Sequence, residues 1–293
     1  MAKAKTNSRK KTLFLNFMQR FGHNRLAVAG LFALILIALI VTIIPPFLPF
    51  SQEQIDPLAF GASPDGKHLL GTDDVGRDVL SRLLYGGRIS LFVGIVSTML
   101  SVAIGIPLGL MAAYFRGKFE TVTMRLADIF LSFPNIILIL FLVSIFGPSI
   151  FTVTVVIGVL GWPFFARLMF GTVLSIREKD YIEGAVAIGE KQRTILLKYI
   201  LPNAIAPILI QITFRIASAI IIESSLSFLG LGVQPPAASW GNMLYNAQSI
   251  TILSKKIWIW LPPGLFLVLT ILSMNFVGNG LRDALDPKTK IRT

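Results

Sequence analysis

Apolar residues dominate this chain in long unbroken runs, near residues 26–48, 88–114, 123–146, 150–170, 204–229 and 258–279. The stretches Leu26–Phe50 and Ile129–Ile145 contain no charged side chain. Runs of this length can cross about 30 Å of hydrocarbon as helices rising about 1.5 Å per residue. The pattern predicts an all-α integral membrane protein with six transmembrane helices. Pro45, Pro46 and Pro49 close the first run, and Gly147-Pro148 makes a tight turn between the third and fourth. Pro107 and Pro134 predict kinks inside the bundle, where neighbours can satisfy the freed carbonyls. Gly105 and Gly109 form a small-xxx-small pair, either a close-packing face or the ordinary glycine content of membrane helices. No internal repeat is visible.

Composition agrees with this picture: of 293 residues 54% are hydrophobic and 14% charged, with a mean hydropathy of +0.73. The net charge of +12 would suit a nucleic-acid partner if it were spread along the chain. Instead Lys3, Lys5, Arg9, Lys10, Lys11, Arg20 and Arg25 precede the first run with no acid among them, which is the flank expected on the cytoplasmic side. The first run is too long, and ends too proline-rich, for a cleaved signal peptide. Six spans put both termini in the cytoplasm, together with Arg167, Arg177, Lys179, Lys191, Arg193 and Lys198. The acids Glu53, Asp56, Asp65, Asp73, Asp74 and Asp78 then fall in an outer loop. The expected organisation is a basic segment 1–25, a first helix 26–48, an outer loop 49–87, a five-helix core 88–280 with a cytoplasmic insert 171–203, and a tail 281–293. Without cysteine, disulfides and thiolate metal sites are excluded.

The insert carries the most informative stretch, "DYIEGAVAIGEKQRTILLKYILPNA" from Asp180 to Ala204. Asp180 and Glu183 have capping-box spacing, so a helix should start there with Asp180 accepting from first-turn amides. Ile182, Ala185, Val186 and Gly189 recur on one side, and Gly189 should end or turn the helix. A second helical run, Lys191 to Ile200, should stop before Pro202. Such an element either docks a soluble partner or rests its apolar side on the bilayer.

Glu183-Gly184-Ala185, then Gly189, then Tyr199-Ile200-Leu201-Pro202 resembles the EAA loop of membrane subunits of binding-protein-dependent ABC importers. Gly184 stands where that pattern has its second alanine, and Tyr199 where it has isoleucine. The resemblance implies that Asp180, Glu183, Gly184, Ala185, Gly189, Leu201 and Pro202 form a coupling element seated on an ATPase subunit. "HLLGTDDVGRDVLSRLLYGGRIS" (68–90), "FGPS" (146–149), "SFLGLGVQPPAASWGNML" (227–244) and "LRDALDPK" (281–288) resemble the C-type permease of dipeptide, oligopeptide and nickel importers. The fold then implied is the type I ABC importer permease core. The implied partners are a B-type permease, two ATPase subunits that bind ATP and magnesium, and an extracytoplasmic solute-binding protein, in a bacterial plasma membrane. The implied cargo is a peptide, with a nickel or metal-chelate cargo as the alternative.

Other candidates are weighed on their residues. "GASPDGKH" (61–68) nearly matches a phosphate-binding loop, but His68 replaces the magnesium-binding hydroxyl and no strand precedes it; no ATP site, cofactor or metal site is expected on this chain. Arg215 and Glu223 are ionisable groups within the fifth span, where such groups line a pathway or pair structurally. Arg125 and Asp128, at i and i+3, are expected to pair on one helix face. The outer segment around Gly71, Gly76 and the acidic cluster is either ordinary capped loop or a binding-protein contact, and Trp240 is expected to anchor at the membrane interface. No catalytic constellation is apparent, so a non-catalytic subunit is expected. A secondary transporter would more typically show paired broken helices in two halves.

Overall fold

The computed structural model describes residues 17–285; the basic residues Lys3 to Lys11 and the end of the "LRDALDPK" motif lie outside them. After a helical segment α1 (residues 17–23), Asn24 caps α2 (Arg25–Ile43), its side chain accepting from the amide of Ala27. The prolines then form a 3-10 turn, Pro45–Phe47. A folded loop leads into α3 (Val79–Phe115), 37 residues long and interrupted only by Pro107. At about 1.5 Å per residue α3 extends roughly 55 Å, well beyond the hydrocarbon thickness. Then follow α4 (Gly117–Ser132), α5 (Asn135–Phe146), α6 (Ile150–Leu160), α7 (Trp162–Arg177), α8 (Asp180–Ala187), α9 (Gln192–Thr194), a π-helical stretch Ile195–Ile200, α10 (Leu201–Phe228), α11 (Trp240–Tyr245), α12 (Ile250–Lys255) and α13 (Ile257–Leu285).

Among the described residues five helical units are long and apolar enough to cross a membrane, and six if α4 and α5 count as one broken span. That pair departs from the expected single run at 123–146. The two helices meet at 88°, because Phe133, preceding Pro134, is held extended at ψ 142°. A kink was expected, and the chain breaks instead. At 12 residues α5 spans roughly 18 Å, too short to cross alone.

α3 is the central element, packed on α6, α7 and α10, while α2 lies along α13. Glycine permits the closest of these approaches. A Cβ on Gly105 or Gly109 would collide with the backbone oxygens of Trp162 and Ala166, so the small pair is a close-packing face between α3 and α7. Gly30 similarly admits the backbone of Ser273 between α2 and α13.

The loop before α3 is turn-rich and tightly capped. Gly71 and Gly76 take φ of 69° and 86°, positions where side chains are disfavoured. Asp78 caps α3 by accepting from the amide of Ser81 at 2.8 Å. Its other oxygen lies 2.9 Å from Nδ1 of His68, which is buried and stacked on Phe50 at 4.6 Å. Two expected positions are corrected here. Trp240 is fully buried at the α3–α11 junction rather than at an interface, and donates from Nε1 to the carbonyl of Leu83 at 3.0 Å. Asp128 pairs with Arg167 of α7 rather than with Arg125 of its own helix, because α4 packs directly against α7.

Candidate functional site

The insert joins α7 to α10 at one end of the bundle. α8 begins at Asp180 as expected, but its N-cap is Lys179 and no side chain caps it. The capping box is therefore not formed: Asp180 and Glu183 sit within the first turn, where their charges favour the helix dipole. The helix ends at Ala187, and Gly189 turns the chain at φ 77°. Ile182 and Ala185 are buried against Val173, Ile176, Ile195, Ile200 and Ala204. Val186, expected on that same side, is instead 60% exposed, and Ile188 is 80% exposed. Two buried residues in eight make a narrow anchor, leaving most of α8 free.

Two polar contacts tie this end down further. Tyr114 of α3 donates its hydroxyl to Gln192 at 2.7 Å, and Arg177 donates to the carbonyl of Ala113 at 3.2 Å. A Cβ on Gly184 or Gly189 would meet nothing within 4 Å, so this chain's own packing does not require either glycine to be small. Leu201 is half-buried and packs on the same cluster, whereas Pro202 is exposed. The helix does not stop before Pro202. It runs from Gln192 to Phe228 by widening into the π-helical stretch Ile195–Ile200, with Pro202 in the first turn of α10, where a missing amide is tolerated.

The two ionisable residues of α10 occupy different surroundings. Arg215 is half-buried with its guanidinium 5.7 Å from the ring centroid of Phe164 on α7. Glu223 is completely enclosed. Ser90 of α3 donates to one oxygen at 2.9 Å and Ser227 to the other at 2.8 Å, with Ser224 at 3.4 Å. Ser90 in turn accepts from the amide of Trp240 at 3.2 Å, and Ser227 from the amide of Val233 at 3.0 Å. Because those serine oxygens accept amide protons, their hydroxyl protons are turned onto the carboxylate. Glu223 thus joins α3, α10 and the segment leading into α11. Sequence reasoning missed these serines; Ser227 follows Glu223 at helical spacing and Ser224 is its immediate neighbour, but Ser90 is distant in sequence and carried no signal.

The chain matches two families. Residues 105–291 match the binding-protein-dependent transport system inner membrane component, and residues 12–64 match the N-terminal TM domain of oligopeptide transport permease C. It is 40% identical over 282 residues to the oligopeptide transport system permease protein OppC of Haemophilus influenzae, covering 96% of this chain and 90% of that protein. It is 41% identical to the glutathione transport system permease protein GsiD of Pectobacterium atrosepticum (96% and 93% covered). It is 37% identical to the dipeptide transport system permease protein DppC of Haemophilus influenzae (96% of each). Among solved structures, an inward-facing conformation of the MetNI methionine ABC transporter superposes with a TM-score of 0.57 at 22% identity, covering 70% of this chain and 97% of that one. Taken with the helical bundle and its insert, these matches establish that the chain belongs to the binding-protein-dependent transport system inner membrane components, as a multi-pass C-type permease with the type I importer fold.

Proposed function

We propose that this chain is the C-type permease subunit of an ATP-driven importer of di- or oligopeptides. It pairs with a B-type permease to enclose the pathway, receives cargo from an extracytoplasmic solute-binding protein, and is driven by two ATPase subunits that hold ATP and magnesium. Both termini and the insert lie in the cytoplasm of a bacterial cell, and the loop before α3 faces outward. Relatives named for oligopeptide, dipeptide and glutathione transport, each similar over almost the whole chain, support a peptide cargo.

The observation that carries the coupling role is the exposure of α8. Ile182 and Ala185 fasten it to the bundle, while Val186 and Ile188 face outward beside Gly184, whose small size nothing in this chain explains. Neighbouring exposed apolar residues beyond the charged first turn of α8 suit a protein contact surface. An ATPase seated there would move α8, and with it the continuous helix Gln192–Phe228 that ends beside Glu223.

The test is Ile188→Glu in the reconstituted transporter. Because Ile188 is solvent-facing, the bundle should fold normally. ATPase subunits should then fail to co-purify, or hydrolysis should lose its stimulation by loaded binding protein. Full stimulation in the variant, or transport by the chain without ATPase subunits, refutes the assignment.

A further inference from the structure

At the end of the bundle opposite the insert, a cavity of about 340 Å³ opens between the loop before α3, the start of α3 and the segment around α11. Its volume lies within the roughly 300–1,000 Å³ of small-molecule sites. Arg77 and Arg82 both line it, with Asp74, Gln234 and Tyr245 among its other polar residues.

The two arginines are held but not consumed. Asp73 accepts from the amides of Val75 and Arg77, each at 2.9 Å, and from Nε of Arg77 at 2.8 Å. Nε of Arg82 stands 3.4 Å from the same carboxylate. One acid therefore serves two guanidiniums. Of their four terminal nitrogens, only Nη1 of Arg82 donates to an acceptor among the described residues, the carbonyl of Gln52 at 3.3 Å. The Arg82 side chain is only 5% exposed and that of Arg77 13%, so the remaining donors are poorly hydrated and directed by the fold. Asp74 is exposed on the cavity wall and accepts from Asn246 at 3.0 Å, leaving its second oxygen without a partner among the described residues. Neither the Tyr245 hydroxyl nor the Gln234 carbonyl oxygen has a partner among the described residues. Guanidiniums in a sheltered cavity and a carboxylate on its open side complement a ligand carrying both charges.

We propose that this cavity binds the two ends of a short zwitterionic peptide, with Arg77 and Arg82 taking its terminal carboxylate and Asp74 its terminal ammonium. This rests on the peptide-import reading and adds to it a recognition site on the permease itself. Tyr245 and Gln234 line the same cavity and offer it a hydroxyl and a carbonyl oxygen. An acidic side chain of a docking protein would satisfy the arginines but leave the second oxygen of Asp74 unused, which is why the small ligand is favoured.

The experiment uses the assembled transporter in lipid nanodiscs, without nucleotide or binding protein, and measures equilibrium binding of labelled trialanine, trialanine amide and N-acetyl-trialanine. Amidation and Arg77→Gln should each weaken binding at least about tenfold, the loss expected for a charge-assisted contact. Amidation should cost less in Arg77→Gln than in the parent, because only Arg82 then remains to hold the carboxylate. Acetylation should cost nothing further in Asp74→Asn, an exposed substitution that keeps the test open should Arg77→Gln misfold. Equal binding of all three peptides, binding indifferent to both variants, or no saturable binding overturns the site. So does weakened capture of the binding protein by Arg77→Gln with peptide binding unchanged, which would make the cavity a protein-docking socket. ATP-driven uptake of trialanine by the complete system is measured in parallel. Uptake without cavity binding defeats the site alone, whereas no uptake of any peptide defeats the import reading.

Discussion

Ser90 on α3 donates a hydrogen bond of 2.9 Å to Glu223 on α10, across 133 residues of sequence and inside a completely enclosed pocket. The same serine accepts from the amide of Trp240, so one hydroxyl links the central helix, the long helix leading from the insert, and the short helix opposite it.

This network should depend on an acceptor at position 223. Glu223→Leu would leave the hydroxyl protons of Ser90 and Ser227 buried without their acceptor, at about 1–3 kcal/mol each. Thermal denaturation in detergent should show a clear drop in midpoint for Glu223→Leu and a much smaller one for Glu223→Gln, which retains a carbonyl acceptor and the same shape.

The α3–α7 contact should tolerate no enlargement at its glycines. Gly109→Val places methyl groups against the backbone of Ala166, and overpacking of this kind typically costs about 1–3 kcal/mol. Gly171→Ala is the control. A Cβ there meets nothing within 4 Å, and helix propensity favours alanine by up to about 1 kcal/mol, so its unfolding midpoint should equal or exceed that of the parent.

Asp78 combines two duties, capping α3 and holding buried His68. Asp78→Ala should expose the loop 49–78 to limited proteolysis, since a lost cap costs about 1 kcal/mol and His68 also loses its buried partner. Asp78→Asn keeps an acceptor for the Ser81 amide and should be cleaved at a rate nearer that of the parent.

The loop should also respond to acid through Asp56. Hydrogen bonds from Lys67, the amide of Leu58 and His68 hold its carboxyl down, at about 2, against the usual carboxylate value near 3.9. A depressed folded-state pKa contributes stability that is fully present above the unfolded value and is lost as pH falls through the folded one. The window is therefore roughly pH 4 to 2. Trp258, whose indole donates to the carbonyl of Thr72 in this loop, provides a fluorescence signal. Asp56→Asn should flatten the part of the acid transition in that window, and an unchanged titration would refute the assignment.

Much of the architecture was legible in the chain. The apolar runs located the membrane helices, the prolines after Ile43 ended the first of them, and the residues from Asp180 to Gly189 announced a short helix ending at a glycine turn. Gly105 and Gly109 marked a close approach, although not its partner. These are local properties: hydrocarbon must be crossed by about 20 apolar residues with their backbone groups paired internally, and a left-handed turn admits glycine best.

Which side chains meet was decided by tertiary structure. In a membrane chain, residues facing lipid and residues facing the core are both apolar, so periodicity does not separate exposed Phe32 from buried Ile37. Asp128 had a plausible partner at Arg125, three residues away, but the packing of α4 on α7 brought Arg167 closer. Trp240 had the composition of an interfacial anchor until the α3–α11 contact enclosed it. Pro202 is compatible with a helix stop, and only the widened turn at Ile195–Ile200 carries the helix through it. Glu223 stood out as a charge within a span, but its serine partners come from two helices and its link to Trp240 from a third. The sequence by itself determined that the chain is a set of long apolar helices with polar connections; the folded bundle decided where they break or run on and which of them meet, because hydrogen bonds and close packing act over a few ångströms in space, however far apart the residues lie along the chain.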